Sequence, residues 1–173
     1  LAKDAEALVI ADQHGPAAVL AMLAFDEDRY FAGRADEARD EPTLLEVQDE
    51  DHLYYGKGAL MMHALRARLG ADAVDGALKS LLAEFGGPGG MATSRDLRDA
   101  LLARAASDLD STTVDQWLAG RTSWRLSLDS GTVARASDGW RVRAVVQASR
   151  TAPPGDVTAP LEHDSLELAV LDG

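Results

Sequence analysis

The chain contains no cysteine, so neither a disulfide nor a thiolate metal site contributes to its fold. The same absence fits an oxidising or a reducing compartment. Aromatic residues are scarce, 5% of 173 positions, and the hydrophobic share of 46% rests on Leu, Ala and Val. That share suffices for one ordinary domain, with room for a small appendage. Long apolar runs are missing too. The longest, residues 17–25, is about half of the roughly 20 residues that cross a bilayer. The start, Leu1-Ala2-Lys3-Asp4, has no initiator methionine and no basic segment of a signal peptide. It reads as the interior of a helix, so the chain is expected to be a piece of something longer. Basic residues are outnumbered 17 to 29, for a net charge of -12. This argues against nucleic acid or an anionic membrane as partner and identifies no positive partner, because acidic surfaces mostly serve solubility.

Several catalytic signatures are also absent. The four histidines, His14, His52, His63 and His163, include no pair at i, i+4, and there is no H-E-x-x-H. No serine lies in G-x-S-x-G, and neither a P-loop nor G-x-G-x-x-G occurs. Gly86 to Gly90 follows a helical pattern instead of a strand and reads as a mobile loop. His14 suits a helix C-terminus, His63 a partly buried position on an apolar helix, and His163 the surface. Asp49-Glu50-Asp51 lacks the spacing of a calcium loop and reads as a solvated face.

The pattern that is present predicts an α+β chain, with residues 1–120 helical and 121–173 forming a small antiparallel β segment. Leu1, Ala5, Leu8 and Val9 share one helix face. His14-Gly15-Pro16 ends that helix and starts the next, whose stripe is Val19, Leu20, Leu23 and Tyr30. Residues 34–51 read as a long charged connection, with a short strand at Leu44 to Val47. Gly58, Met62, Leu65 and Leu69 mark a helix that is apolar nearly all round and hence deeply buried, with Gly58 allowing close packing. Val74, Leu78, Leu81, Leu82 and Phe85 give the clearest amphipathic stripe. Thr93 with Asp96, and Thr113 with Gln116, are candidate capping boxes, with Asp108, Asp110 and Ser111 in the turn between. After Gly120 the period changes to two. About four strands are expected, with turns at Asp129-Ser130-Gly131 and Ser137-Asp138-Gly139 and a last strand at Leu166, Leu168 and Val170.

The most informative stretch is Tyr54-Tyr55-Gly56-Lys57-Gly58, which enters the buried helix. A fixed phenol beside a reacting carbonyl can stabilise the negative charge of an acyl-transfer transition state. The competing reading of Tyr55 is a core or rim tyrosine satisfied by a backbone carbonyl. Lys57 reads either as a contact to a substrate carboxylate or as a helix-start lysine paired to an acid. His52 and Tyr54 would line the same cleft.

The run Tyr55-Gly56-Lys57-Gly58-Ala59-Leu60, followed by Leu65, Leu69-Gly70 and Ala73-Val74, resembles the segment after the zinc site in the aminopeptidase-N-like metallopeptidases. Thr93-Ser94 with Asp96-Leu97, and Asp115-Gln116-Trp117-Leu118, resemble that family's later helices. Residues 1–15 resemble the helix that starts at its third zinc ligand. Trp124-Arg125-Leu126 to Gly173 is similar to a bacterial subgroup fused to ABC-transporter-type permeases. The resemblance implies the end of a thermolysin-like catalytic domain. It gives Tyr55 the role of binding the tetrahedral intermediate, with peptide as substrate and zinc as cofactor of the parent protein. The zinc ligands would lie upstream of Leu1, so no metal is expected in this chain, which alone would be inert. Further implied partners are the missing upstream peptidase region, permease segments that would make the parent membrane-associated, and a second copy docked through exposed apolar surface. Two rivals stand beside this reading. One is a non-catalytic peptidase-like interaction module of a transport assembly. The other is an unrelated helical scaffold with a β tail, which requires Tyr55 to point into the core.

Overall fold

A computed structural model of the chain describes residues 1–36 and 40–151. Helix α1 (Ala2–His14) and helix α2 (Pro16–Asp36) meet at Gly15, whose φ of 81° is a conformation that side chains other than hydrogen resist. A π-helical segment, His52–Lys57, runs without a break into α3 (Gly58–Leu69). Gly70, with φ 88°, separates α3 from α4 (Ala71–Phe85). Helices α5 (Ser94–Leu102) and α6 (Asp108–Leu118) complete the helical part. Two long strands follow, β1 (Ser123–Ala136) and β2 (Gly139–Thr151), paired antiparallel. The α+β class is therefore as the sequence indicates. No helix among the described residues is long and apolar enough to cross a membrane.

Helix α3 is the central element, packed against α1, α2, α4 and α6. Its apolar circumference explains this: Ala59, Met61, Met62 and Leu65 are buried on several sides at once. The main core joins Met61, Met62 and Leu65 to Leu53, Val74, Ala77, Leu81, Leu97, Leu101, Val114 and Leu118, while Ala59 packs with Val19 and Leu23 of α2 in a second cluster. Of the predicted α4 stripe, Val74 and Leu81 are buried, whereas Leu82 is exposed. The close helix approach falls at Gly56, not at Gly58. A Cβ at Gly56 would stand 2.9 Å from the Asp26 carbonyl oxygen and 3.0 Å from the Tyr30 Cβ, whereas one at Gly58 would make an ordinary contact.

Four expectations are corrected. The stripe Leu1, Ala5, Leu8, Val9 faces outward, and α1 instead buries Asp4. Asp4 accepts two bonds from the Arg66 guanidinium, at 2.7 and 2.8 Å, and this bidentate pair outweighs the apolar periodicity. Leu44 to Val47 is a turn, in which the Glu46 and Val47 N–H groups donate to the Thr43 carbonyl. The Glu46 carboxylate accepts from the Thr43 hydroxyl at 3.0 Å, and Leu44 inserts into the core. Helix α6 starts earlier than its predicted box. Ser107 is its cap, accepting from the Asp110 N–H at 3.2 Å, so Asp108, Asp110 and Ser111 are helical. Thr113 lies inside the helix, where its hydroxyl donates to the Leu109 carbonyl at 2.8 Å. The Thr93–Asp96 box forms as expected.

The fourth correction concerns the β segment. Asp129-Ser130-Gly131 does not turn. The register slips by one residue between Leu128 and Ser130, a bulge within β1. The reversal occurs once among the described residues, at Ser137-Asp138 ahead of Gly139. Among the described residues the sheet has two strands, because the bulge joins into one strand the two segments expected on either side of Asp129-Ser130-Gly131. The predicted strand at Leu166 to Val170 lies outside the described residues.

Candidate functional site

The tyrosines lie within the π-helical segment instead of before the helix. The Gly58 N–H reaches the Leu53 carbonyl five residues back, the hydrogen bond that defines this wider turn. Buried Leu53 and Gly56 hold the segment against α2, while Tyr54 and Tyr55 are 40% and 39% exposed. Such wide turns occur often at functional sites, because they place side chains that a regular helix would rotate elsewhere.

The neighbouring phenols are treated differently. The Tyr54 hydroxyl donates to the Asp51 carboxylate. That hydrogen bond, with smaller help from desolvation and the carboxylate charge, pushes the Tyr54 phenol up to about 12. The Tyr55 ring sits 4.7 Å from that of Tyr54 and under the Arg29 guanidinium, 5.0 Å from the ring centroid. Among the described residues the Tyr55 hydroxyl takes part in no hydrogen bond. It does not point into the core.

Lys57 is ion-paired to Glu41, whose side chain is 5% exposed. The same carboxylate accepts from the Tyr30 hydroxyl at 2.8 Å and from Arg34. Burial pushes the Tyr30 phenol up, and the Arg34 charge opposes this. Glu41 thus gathers three donors from α2 and the π-helical segment. Sequence reading did not single it out, because nothing in the charged stretch 34–51 marks which acid turns inward. His52 stacks on Tyr30 at 6.5 Å between ring centroids and leans on Gly33.

The four residues expected to share a cleft therefore diverge. Lys57 borders a groove of about 450 Å³ with Leu60, Met61, Ala64 and Trp117. Tyr54 borders a separate one of about 210 Å³ with Leu44, Met62 and Leu97. Tyr55 and His52 line neither. Another residue escaped sequence reading: Asp26 is fully buried, with Lys3 Nζ 3.3 Å from one carboxylate oxygen. Among the described residues no three His, Asp or Glu side chains come together as a metal site. No protein-family model matches the chain, and no curated protein or solved structure is found to be similar to it.

Proposed function

We propose that the chain is the downstream part of a zinc-dependent, aminopeptidase-type catalytic domain, in which Tyr55 donates a hydrogen bond to the oxyanion of the tetrahedral intermediate. One observation carries this reading. Of two adjacent, half-exposed tyrosines, Tyr54 is tied to Asp51, while the Tyr55 hydroxyl has no partner among the described residues and sits on a turn anchored by buried neighbours. A donor held in place before the charge develops costs no reorganisation at the moment of reaction, and one such donor is typically worth about 10²–10³ in rate. Metal ligands and general base would come from protein outside this chain. On this reading the isolated chain is inert, peptide is the substrate of the longer protein, and that protein is associated with a membrane permease.

The test is to prepare the longer protein that contains this chain and measure bound zinc and aminoacyl-amide hydrolysis, beside its Tyr55→Phe variant. Zinc with turnover that falls about 10²-fold or more in the variant is the expected result. A folded longer protein with neither zinc nor turnover would sink the enzyme. It would leave a non-catalytic interaction module, a second reading favoured by the exposed apolar face of the β1–β2 ribbon.

A further inference from the structure

The ribbon separates its residues by face. Opposed pairs Leu126–Ala148, Leu128–Val146, Val133–Val142 and Arg135–Trp140 fall on one side, and Arg125–Ser149, Ser127–Gln147 and Thr132–Arg143 on the other. The first side is apolar and open: Leu128, Val133 and Trp140 are each about two-thirds exposed, and Leu126 and Val142 nearly half. A two-stranded ribbon is marginal by itself, and a contiguous apolar face of this kind marks a contact surface. Its charge is also out of keeping with the chain. β1 and β2 carry five arginines against one aspartate, with a second, Asp138, in the turn, whereas residues 1–122 carry 22 acids against 12 Lys and Arg. The ribbon is a basic arm on an acidic body.

We propose that this apolar face docks on the helical body of a second copy of the chain. The body offers an acceptor where α1 and α2 meet α3. This is a groove of about 380 Å³ lined by Ala7, Leu8, Val19, Leu20, His63 and Arg66; the Arg66 charge is already held by Asp4 and Asp75, and the exposed acids Glu6 and Asp12 lie on α1. The outward-facing Leu8 and Leu20 would be covered by the arm, and Arg135, on the apolar face beside Trp140, would meet acidic surface. Arm onto body, exchanged reciprocally, closes as a two-fold dimer with two equal contacts. The inference stands apart from the peptidase reading.

Sedimentation velocity of the full chain tests it. The expected species is a dimer that weakens as salt rises, because opposite charges are screened. Leu128→Asp, on the exposed arm, and Leu8→Asp, in the groove, each yield a monomer with unchanged helical circular dichroism. Mixing the two variants restores a dimer fraction, since one chain keeps its arm and the other its groove. A wild-type chain that stays monomeric at every concentration overturns the proposal. So does a Leu8→Asp variant that remains dimeric, and so does a monomer whose Trp140 is already shielded from a soluble quencher, which would mean that the chain covers its own arm.

Discussion

Arg29 lies over the face of Tyr55, 5.0 Å from the ring centroid, while its guanidinium reaches the Asp51 carboxylate at 3.5 Å. One cation from α2 thereby touches both the tyrosine whose hydroxyl has no partner among the described residues and the acid that occupies its neighbour. Removing the cation with Arg29→Met is expected to cost about 0.5–1 kcal/mol, the usual strength of an exposed cation–π contact. Arg29→Lys should retain part of it. Urea unfolding of the three proteins checks this, and equal stability of wild type and Arg29→Met would show that the stacking contributes nothing.

Gly56→Ala is the most damaging small substitution expected in the candidate site. The new methyl would press on the Asp26 carbonyl at 2.9 Å and on the Tyr30 backbone at 3.2 Å, neither of which can swing aside like a side-chain tip. Overpacking of this kind costs about 1–3 kcal/mol. Gly58→Ala meets only an ordinary contact and should be far milder. Thermal unfolding of the pair decides it, and a Gly56→Ala protein as stable as Gly58→Ala would refute the close approach.

Tyr54 predicts a signature at alkaline pH. Its folded-state phenol is raised above the ordinary 10, to about 12, so its bond to Asp51 stabilises the fold fully below pH 10. That contribution fades as pH rises from about 10 through about 12. Phenolate absorbance should show one tyrosine titrating near 12. Asp51→Asn should bring it back toward the ordinary range. An unchanged titration in the variant would mean that Asp51 is not the cause.

Asp4 and Asp75 grip the same guanidinium, yet their removal should differ. Asp4 is 3% exposed and bidentate with Arg66, whereas Asp75 is 45% exposed. Asp4→Ala leaves a largely buried cation with one solvent-screened partner and should cost about 3 kcal/mol. Asp75→Ala should cost about 1 kcal/mol or less. Calorimetry of both variants tests the ranking, and equal losses would contradict the difference in burial.

The same pair shows where sequence reading stops. Periodicity put Leu1, Leu8 and Val9 inward because it weighs apolar side chains alone. It could not see that Asp4 meets an arginine 62 positions away. Likewise the period of two after Gly120 predicted strands, but it put a turn at Asp129-Ser130-Gly131 where β1 carries a bulge, and it carries no signal for whether a face is covered. The glycine at 15, the box at Thr93 and the buried α3 were legible because each depends on residues close in sequence. The tyrosine segment was visible as a run of residues. Its wide-turn geometry was not, since no local propensity distinguishes an i→i+5 bond from an i→i+4 bond, and the choice rests on Gly56 fitting against α2. The inward turn of Glu41 is of the same kind, settled by Tyr30, Arg34 and Lys57 together.

The wide turn at His52–Lys57 has a further meaning as a matter of phase. A turn closed over five residues holds one more than a regular helical turn, so it acts as an insertion accommodated without breaking the rod that continues through α3. Three anchors keep the extra residue in place: Tyr54 on Asp51, Tyr55 beneath Arg29, and Lys57 on Glu41. Deleting one residue there would let the helix re-form with ordinary winding and a nearly intact core below it. The tyrosines would then come round to a different compass bearing. Length and orientation are uncoupled at this point, and a chain could gain or lose the presentation of Tyr55 in a single step while its fold stayed the same.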